Sequence, residues 1–366
     1  MAELTPRLTP GRFLTPWGGP VCRAVLKRHP EDFRVTEVLG FTPDGAGEHL
    51  WLWVEKTGLN TDRVARHLAA VLGLPLPAVS WSGLKDRHAV TGQWFSVHWP
   101  GGGDWPLGDA WQQDETGRWR VTQAVRSSRK LRRGAHAANA FVITLRDVQG
   151  EHEAIEARLG EMRAQGVPNH FGLQRFGHGA RNLDQGLALL ADRRAGRRRR
   201  RDNRESLWIS ALRSALFNHV LDRRVGDGSW TRWLPGDVLQ LDGRGSLFAP
   251  TEADRPDALA RLDAQALHVT GPMPGEGASV VSDVVAALEA EVLAPWQTVC
   301  DDLAALRVPA QRRALRLRIE DMRWQWSDAD TLTLSFTLTA GAFATTMLQC
   351  LAYLDEEQSH ALSAEQ

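Results

Sequence analysis

Residues 82–94 read SGLKDRHAVTGQW, so that Lys85, Asp86, Arg87 and His88 stand side by side between a glycine and an apolar stretch. A charged cluster is usually a solvated turn whose members screen one another. Three features argue for something else here. Val79 and Trp81 before the cluster, with Val90, Trp94 and Phe95 after it, draw the segment toward a core. Gly83 and Gly92 permit close backbone approach. A carboxylate between Lys85 and Arg87 stays ionised, because opposite charges nearby favour the charged form. An ionised aspartate with no metal to ligate can attack a sugar carbon or an electron-poor ring, and the covalent intermediate divides one difficult step into two. That chemistry needs no cofactor, but it does need water kept out.

The composition frames this reading. The chain has 366 residues, room for two or three domains, and its 43% hydrophobic and 24% charged residues are those of a folded protein. Lys plus Arg and Asp plus Glu are 44 each, so any electrostatic steering comes from clustering. Cys22, Cys300 and Cys350 lie far apart with no CxxC pair, and the twelve histidines show no ligand spacing; neither a disulfide framework nor a metal site is expected. The amino terminus lacks the apolar core of a signal peptide, and the most apolar run, residues 68–79, is short and broken by two prolines. A soluble cytoplasmic protein with no membrane segment, monomeric by default, is the expectation.

Elements that could hold the cluster follow from periodicity. Leu50, Leu52 and Val54 alternate with Trp51, Trp53 and Glu55, the pattern of a half-buried strand. Asn60 is placed to cap a helix carrying Val64, Leu68, Val71 and Leu72 on one face, ended by Gly73 and Pro75. Strands are expected at 93–99, 119–124 and 141–148, and a helix bearing Ile155, Leu159 and Met162 stops at Gly166. From about 168, helical patterns and arginines dominate. Alternation resumes at Leu315, Leu317 and Ile319 and at Leu332, Leu334, Phe336 and Leu338, an antiparallel pair with its turn at 327–330; a helix from Ala342 closes the chain. The β-rich, helical, β-rich sequence suggests one sheet domain interrupted by an inserted helical one.

The run Gly83-x-Lys85-Asp86-Arg87-x-Ala89-x-Thr91-x-Gln93 resembles the signature of the TruD family of tRNA pseudouridine synthases, whose nucleophile is the aspartate of the Lys-Asp pair. Five further segments resemble the family in its own order: HPEDFRVTE at 29–37, KLRRG at 130–134 with NAF at 139–141, PNHFGLQRFG at 168–177, RSALFN at 213–218 and AGAFAT at 340–345. The resemblance implies an α+β pseudouridine synthase fold on a central antiparallel sheet, formed by 1–162 and 309–366. An inserted TruD domain, 163–308, would cover the active-site cleft. It implies isomerisation of uridine to pseudouridine at position 13 in the D-arm of tRNA, without cofactor or metal. The uridine is flipped out, as enzymes working on a base must arrange. Asp86 attacks the nucleoside, the glycosidic bond breaks, the uracil turns, and its C5 bonds to the ribose.

By the same resemblance Phe141 lies against the target base, and stacking on an aromatic face stabilises by ~1–3 kcal/mol. Asn139 reads the uracil edge with its amide. Phe33 and Phe343 are pocket residues, and Lys27 is a cation near the nucleophile. The family often has an arginine where Gln349 stands and a tyrosine where His170 stands, so the basic partner of Asp86 is Lys27 or Arg87. Arg193, Arg194 and Arg197, Arg198, Arg199, Arg200 and Arg201 form a run that would repel itself unless an anion were present; Arg197 to Arg201 are read as contacts to the tRNA backbone. Two other readings use the same residues. A non-catalytic RNA-binding or RNA-folding protein would not need Asp86, and a glycosidase would need a second carboxylate about 5–10 Å away, with Glu31, Asp32 and Glu37 available.

Overall fold

The stretch Phe33–Val38 shows how the sequence dictates its sheet: Phe33, Val35 and Glu37 are buried, and Arg34, Thr36 and Val38 face outward. The computed structural model describes residues 6–197 and 202–356. It divides into two compact units that interleave along the chain. A sheet unit comprises Val21–Ala157, Ile319–Ala342 and Ala352–Gln366; a helix-rich unit comprises Met1–Pro20, Arg158–Arg318 and Phe343–Leu351.

In the sheet unit the elements are β1 (Cys22–Leu26), β2 (Phe33–Val38), β3 (His49–Thr57), α1 (Thr61–Val71), β4 (Val79–Trp81), β5 (Val90–His98), β6 (Gln112–Gln113), β7 (Arg118–Ser127) and β8 (Ala138–Gln149). Three more strands, Glu320–Trp326, Leu332–Thr339 and Ala352–Glu356, come from the end of the chain. Among the described residues these strands form an 11-stranded sheet. From Glu320–Trp326 the order runs through Leu332–Thr339, β8, β2, β5, β3 and β7 to β6, with β1 and β4 pairing from the side. The chain therefore has the expected α+β class. The sheet is mainly antiparallel, but β2 pairs with β5, and β1 with Ala352–Glu356, in parallel. Parallel neighbours need a long crossover. Residues 39–89, including β3 and α1, supply it for the first pair.

β3 is covered on both faces, not one. Leu50, Leu52 and Val54 pack with Val64, Ala65 and Leu68 of α1. On the other face Trp51 lies with Leu39 and Leu131, and its Nε1 donates to the Arg129 carbonyl at 2.8 Å. Asn60 does stand at the start of α1, yet its side chain makes no capping bond; its carbonyl accepts the Arg63 and Val64 amides. The helix His152–Gln165 buries Ile155, Leu159 and Met162 completely, and Gly166, at φ +72°, ends it.

The end of the chain departs from the sequence pattern twice. Leu332–Thr339 pairs with Glu320–Trp326, while Arg316–Leu317 pairs with Val167–Pro168 of the helix-rich unit. Alternation at 315–319 marks a strand but does not say which partner it takes. The closing helix is only Ala344–Leu348, after which Ala352–Glu356 runs beside β1, whose backbone donors and acceptors it satisfies.

The helix-rich unit is organised on Glu205–Gly226, 22 residues long, in which Trp208, Leu212, Leu216 and Val220 are buried. It packs against Arg181–Arg194 where Gly186 stands, because a Cβ there would lie 2.8 Å from Leu212 Cγ. A four-stranded sheet, ordered Leu247–Phe248, Leu239–Leu241, Leu267–Met273 and Gln311–Ala314, lies in the same unit. No helix of the described residues is long and apolar enough to cross a membrane.

Candidate active site

The cluster at 82–89 is the connection between β4 and β5, and hydrogen bonds from surrounding residues hold Ser82, Gly83, Lys85, Asp86 and Arg87 in it. Ser82 O accepts from the Gly134 amide at 2.8 Å, and Gly83 O from Gln93 Nε2 at 3.0 Å. The Lys85 amide donates to Thr61 Oγ1 at 2.9 Å, and that hydroxyl donates to Gln93 Oε1. Lys56, wholly buried on β3, donates to the Asp86 carbonyl at 2.7 Å. Arg87 and Gly58 exchange two bonds, Arg87 Nε to Gly58 O and the Gly58 amide to Arg87 O, each at 3.1 Å. A loop held this way presents its side chains without an ordering cost at the moment of reaction.

Asp86 is the reactive candidate so presented, its side chain 37% exposed. The cation that meets it is neither neighbour in sequence. Lys85 turns inward to Glu37 at 2.8 Å, and Arg87 is taken by Gly58. Lys27 Nζ hydrogen-bonds Asp86 Oδ2, and the His88 amide donates to Oδ1 at 3.1 Å. Burial pulls the Asp86 carboxyl upward, but the Lys27 bond and charge and the His88 amide outweigh it, so that its pKa lies below the ordinary 3.8. The carboxylate is ionised and partly solvated. Lys27 reaches it from the residue after β1, where φ is +60°, a left-handed conformation that costs a residue other than glycine about 1–3 kcal/mol. Strain of this kind is retained where geometry matters.

Beneath the loop a second carboxylate is saturated. Glu37 accepts from Lys85 Nζ at 2.8 Å, Ser82 Oγ at 2.7 Å and the Trp94 amide at 3.2 Å. Asp32 takes a bidentate contact from Arg146, at 2.7–3.0 Å, and the His29 amide. Against its burial, those donors hold the Asp32 carboxyl below its usual range. Both carboxylates are engaged by donors in the protein, an arrangement unlike that of an acid placed to protonate a leaving group. Burial, with Lys85 adding to it against the attraction of Asp86, pushes the Lys56 ammonium down to about 8.

The network also sets the tautomer of His136. Ser82 spends its hydroxyl proton on Glu37, so Ser82 Oγ accepts from His136 Nδ1–H at 2.9 Å. His136 Nε2 is then the acceptor that faces Asn139 Nδ2 at 3.4 Å. Burial and the Lys85 charge, opposed by Glu37, hold this imidazole below its ordinary pKa and favour the neutral ring. Gly83 lies close against it: a Cβ there would meet His136 Cε1 at 3.0 Å, tighter than an ordinary contact. The consequence falls on Asn139. Its amide nitrogen is engaged while Oδ1 is buried without a partner.

β8 carries Asn139 and Phe141 on one face, opposite Glu37 and Val35 of β2. Phe141 is stacked on Phe336, ring centroids 5.3 Å apart, and meets Phe33 edge-on at 6.1 Å. The Lys27 ammonium sits 4.5 Å from the centre of the Phe33 ring. Lys27, Phe33, Asp86, Asn139 and Phe141 thus belong to one unit and one connected set of contacts. Phe343 belongs to the helix-rich unit, at the start of Ala344–Leu348.

Sequence reasoning named Glu37 only as an available acid and passed over Lys56 and His136. Two of them leave a trace in the sequence. Glu37 sits at the inward phase of FRVTEV, and Lys56 continues LWLWVEK among apolar neighbours; a charge in a buried phase announces a partner. His136 leaves no such trace.

Of the arginine run, Arg198, Arg199, Arg200 and Arg201 lie outside the described residues. Arg197 is exposed and pairs with Asp192 at 3.3 Å. A different basic surface stands on the sheet unit. Arg129, Lys130 and Arg132 line a groove of about 610 Å³ with Phe41, itself 49% exposed, and Trp51. Arg133, also exposed, lies 4.1 Å over the Trp81 ring. Among the described residues none of these four cations has an ion-pair partner, and the segment that bears them leads directly to His136.

Comparison with known proteins gives a consistent result. The family model of tRNA pseudouridine synthase D (TruD) matches residues 14–191 and 192–351. The chain is 46% identical over 333 residues to the tRNA pseudouridine synthase D of Pseudomonas putida, covering 91% of this chain and 92% of that one. It is 46% identical to the protein of the same name from Stutzerimonas stutzeri, over 92% and 95% of the two chains. The one from Methylococcus capsulatus is 43% identical over 93% and 94%. A crystal structure from Methanosarcina mazei, assigned to tRNA pseudouridine synthase D, superposes with a TM-score of 0.70 over 92% of this chain and 95% of that one; at 19% identity it supports the fold.

Proposed function

The chain belongs to the tRNA pseudouridine synthase D family, and from that premise we propose that it isomerises uridine to pseudouridine in tRNA with Asp86 as nucleophile. The observation that carries the assignment is the contact between Lys27 and Asp86: an ionised carboxylate, partly exposed, on a loop held by hydrogen bonds from Lys56, Thr61 and Gln93. In the proposed sequence the Asp86 carboxylate bonds to a flipped-out uridine, the glycosidic bond breaks, and the uracil stays in the pocket and turns. Its C5 then bonds to C1′ of the ribose, the C5 proton leaves, and Asp86 is released. Asn139 Oδ1, without a partner among the described residues, accepts from the N3–H of the uracil, and Phe33 and Phe141 flank the base. The test is to incubate the protein with unmodified tRNA and map its products. Pseudouridine at a D-arm position supports the reading, whereas free uracil supports a hydrolase and unchanged RNA a binding protein.

Lys27 gives this proposal a pH signature. With its pKa depressed, Asp86 remains the ionised nucleophile as pH falls through the ordinary carboxylate range, and is lost only below it. Without the ammonium, burial acts upward against the His88 amide and charge only. Lys27→Met therefore moves the acid limb of kcat/KM to higher pH, read from a pH–rate profile on tRNA. An unmoved limb removes Lys27 from the site.

The groove on the sheet unit carries the electrostatic part of RNA binding together with Arg197 to Arg201. Replacing Arg129, Lys130 and Arg132 by alanine should weaken tRNA binding for all sequences alike and flatten the plot of log affinity against log salt by roughly one per lost phosphate contact. An unaltered slope returns these residues to the solvated surface.

A further inference from the structure

Three arginines of the helix-rich unit are set deep without any acid to balance them. Arg175 lies in the turn Leu173–Phe176, Arg213 on the helix Glu205–Gly226 and Arg313 on the strand Gln311–Ala314. Arg313 lies 4.2 Å, and Arg175 5.4 Å, from the centre of the Phe171 ring. Arg175 Nη1 reaches Ser210 Oγ at 3.4 Å, and Ser210 is one turn from Arg213 on the same helix. Arg213 Nη2 donates to the carbonyls of Met273 and Pro309, and Arg313 Nη2 to Asn169 Oδ1 at 2.5 Å. Those acceptors are all neutral. Among the described residues none of the three arginines makes an ion pair, and the Nε atom of each is buried with no acceptor. Thr346 Oγ1, in the same unit, is buried and unpartnered as well, beside Gly172, where a Cβ would approach it to 2.6 Å.

Elsewhere in this unit the chain does balance a buried guanidinium. Arg224 is paired with Asp237 at 2.9 Å, and Arg312, the neighbour of Arg313, with Glu289 at 2.6 Å. Arg316, buried too, makes no ion pair among the described residues, but its Nε donates to His268 Nδ1 at 3.1 Å, whereas the Nε of each of the trio finds no acceptor. Burial pulls the Arg175 and Arg213 guanidinia below their usual pKa, and burial with the Arg175 charge pulls Arg313 down to about 10. Arg175 and Arg313, like charges drawn together over Phe171 without an anion, cost stability unless a ligand supplies the missing charge, and Arg213 adds a third unbalanced guanidinium one turn from Ser210. Guanidinium forks match the oxygens of a phosphate, and all three residues keep part of their surface exposed although their Nε atoms are buried.

We infer that Arg175, Arg213 and Arg313 form a phosphate-binding site in the helix-rich unit, and that it takes a backbone phosphodiester of the RNA substrate. The source of the phosphate rests on the reading of the chain as a tRNA-modifying enzyme; the site itself rests on the three side chains. The test uses the full chain with Arg175→Gln, Arg313→Gln and Arg175→Lys. Thermal midpoints are measured in inorganic phosphate and in chloride at matched ionic strength, and tRNA affinity is measured across salt. The glutamine variants should keep or raise the midpoint in chloride, because a repulsion is removed, and should lose the rise that phosphate gives the wild type. Their tRNA affinity should fall about tenfold or more, with a salt slope shallower by about one. Arg175→Lys should restore the slope but not the affinity. If the glutamine variants melt earlier or fail to fold while Arg175→Lys binds tRNA as the wild type does, the arginines are structural struts and the inference is overturned. If phosphate stabilises the wild type but tRNA binding is indifferent to all three variants, the site holds free phosphate and the RNA assignment is overturned. Wild-type protein that makes no pseudouridine contradicts the proposed function separately, and the phosphate arm still decides the site.

Discussion

Asp86→Asn should leave tRNA binding within a few-fold of the wild type and reduce pseudouridine formation by a factor on the order of 10⁴ or more, as removal of a covalent nucleophile does. The substitution is nearly isosteric. Its amide still accepts at Oδ1 from the His88 amide, and Lys56 still holds the backbone carbonyl, so the loop keeps its shape. What disappears is the negative charge that Lys27 maintains. Single-turnover kinetics with saturating enzyme separate the two effects, since binding is then complete in both proteins. A variant that retains more than a few per cent of the rate would make Asp86 a positioning group for some other nucleophile.

The second large effect is on stability. The side chains of Lys85 and Glu37 are 4% and 0% exposed, so Lys85→Met leaves an uncompensated carboxylate in the floor of the loop. Breaking one side of such a pair costs about 3–5 kcal/mol. The double change Lys85→Met with Glu37→Met removes both charges, and it should recover most of that loss while activity stays low, because Ser82 loses the acceptor that orients its hydroxyl and with it the tautomer of His136 is no longer fixed. Denaturant unfolding gives the stability and a tRNA assay the activity. Equal stability of the single and double variants would contradict the coupling.

These two predictions show where the sequence was legible. The proposed nucleophile could be singled out because its setting is local: a charged cluster flanked by Gly83 and Gly92 inside apolar strands, with Gly92 placed where a Cβ would lie 2.6 Å from the Trp53 ring. Its counter-ion could not be chosen on local grounds. Lys85 and Arg87 are its neighbours in the chain, but successive residues of an extended loop point in different directions, and the partner arrives from the end of β1. The α1 helix and β3, β5, β7 and β8 followed from periodicity, since each buries a face within its own segment. The parallel pairing of β2 with β5, the strand Ala352–Glu356 and the destination of Arg316–Leu317 depend on which edges the rest of the chain leaves open, and no periodicity records that. The unpaired arginines of the helix-rich unit were invisible for the same reason. In sequence they belong to PNHFGLQRFG, to RSALFN and to a basic strand, and only folding removes the acids from their surroundings.

The account stands on a base that is detached, turned and reattached without leaving the enzyme. A doubly labelled tRNA tests it most directly, with tritium at C5 and carbon-14 at C2 of its uridines. The wild type should release tritium to water, one for each pseudouridine formed, while all the carbon-14 stays in the RNA, and Asp86→Asn should release neither. Carbon-14 appearing in solution as free uracil, or tritium release that persists in Asp86→Asn, would contradict it.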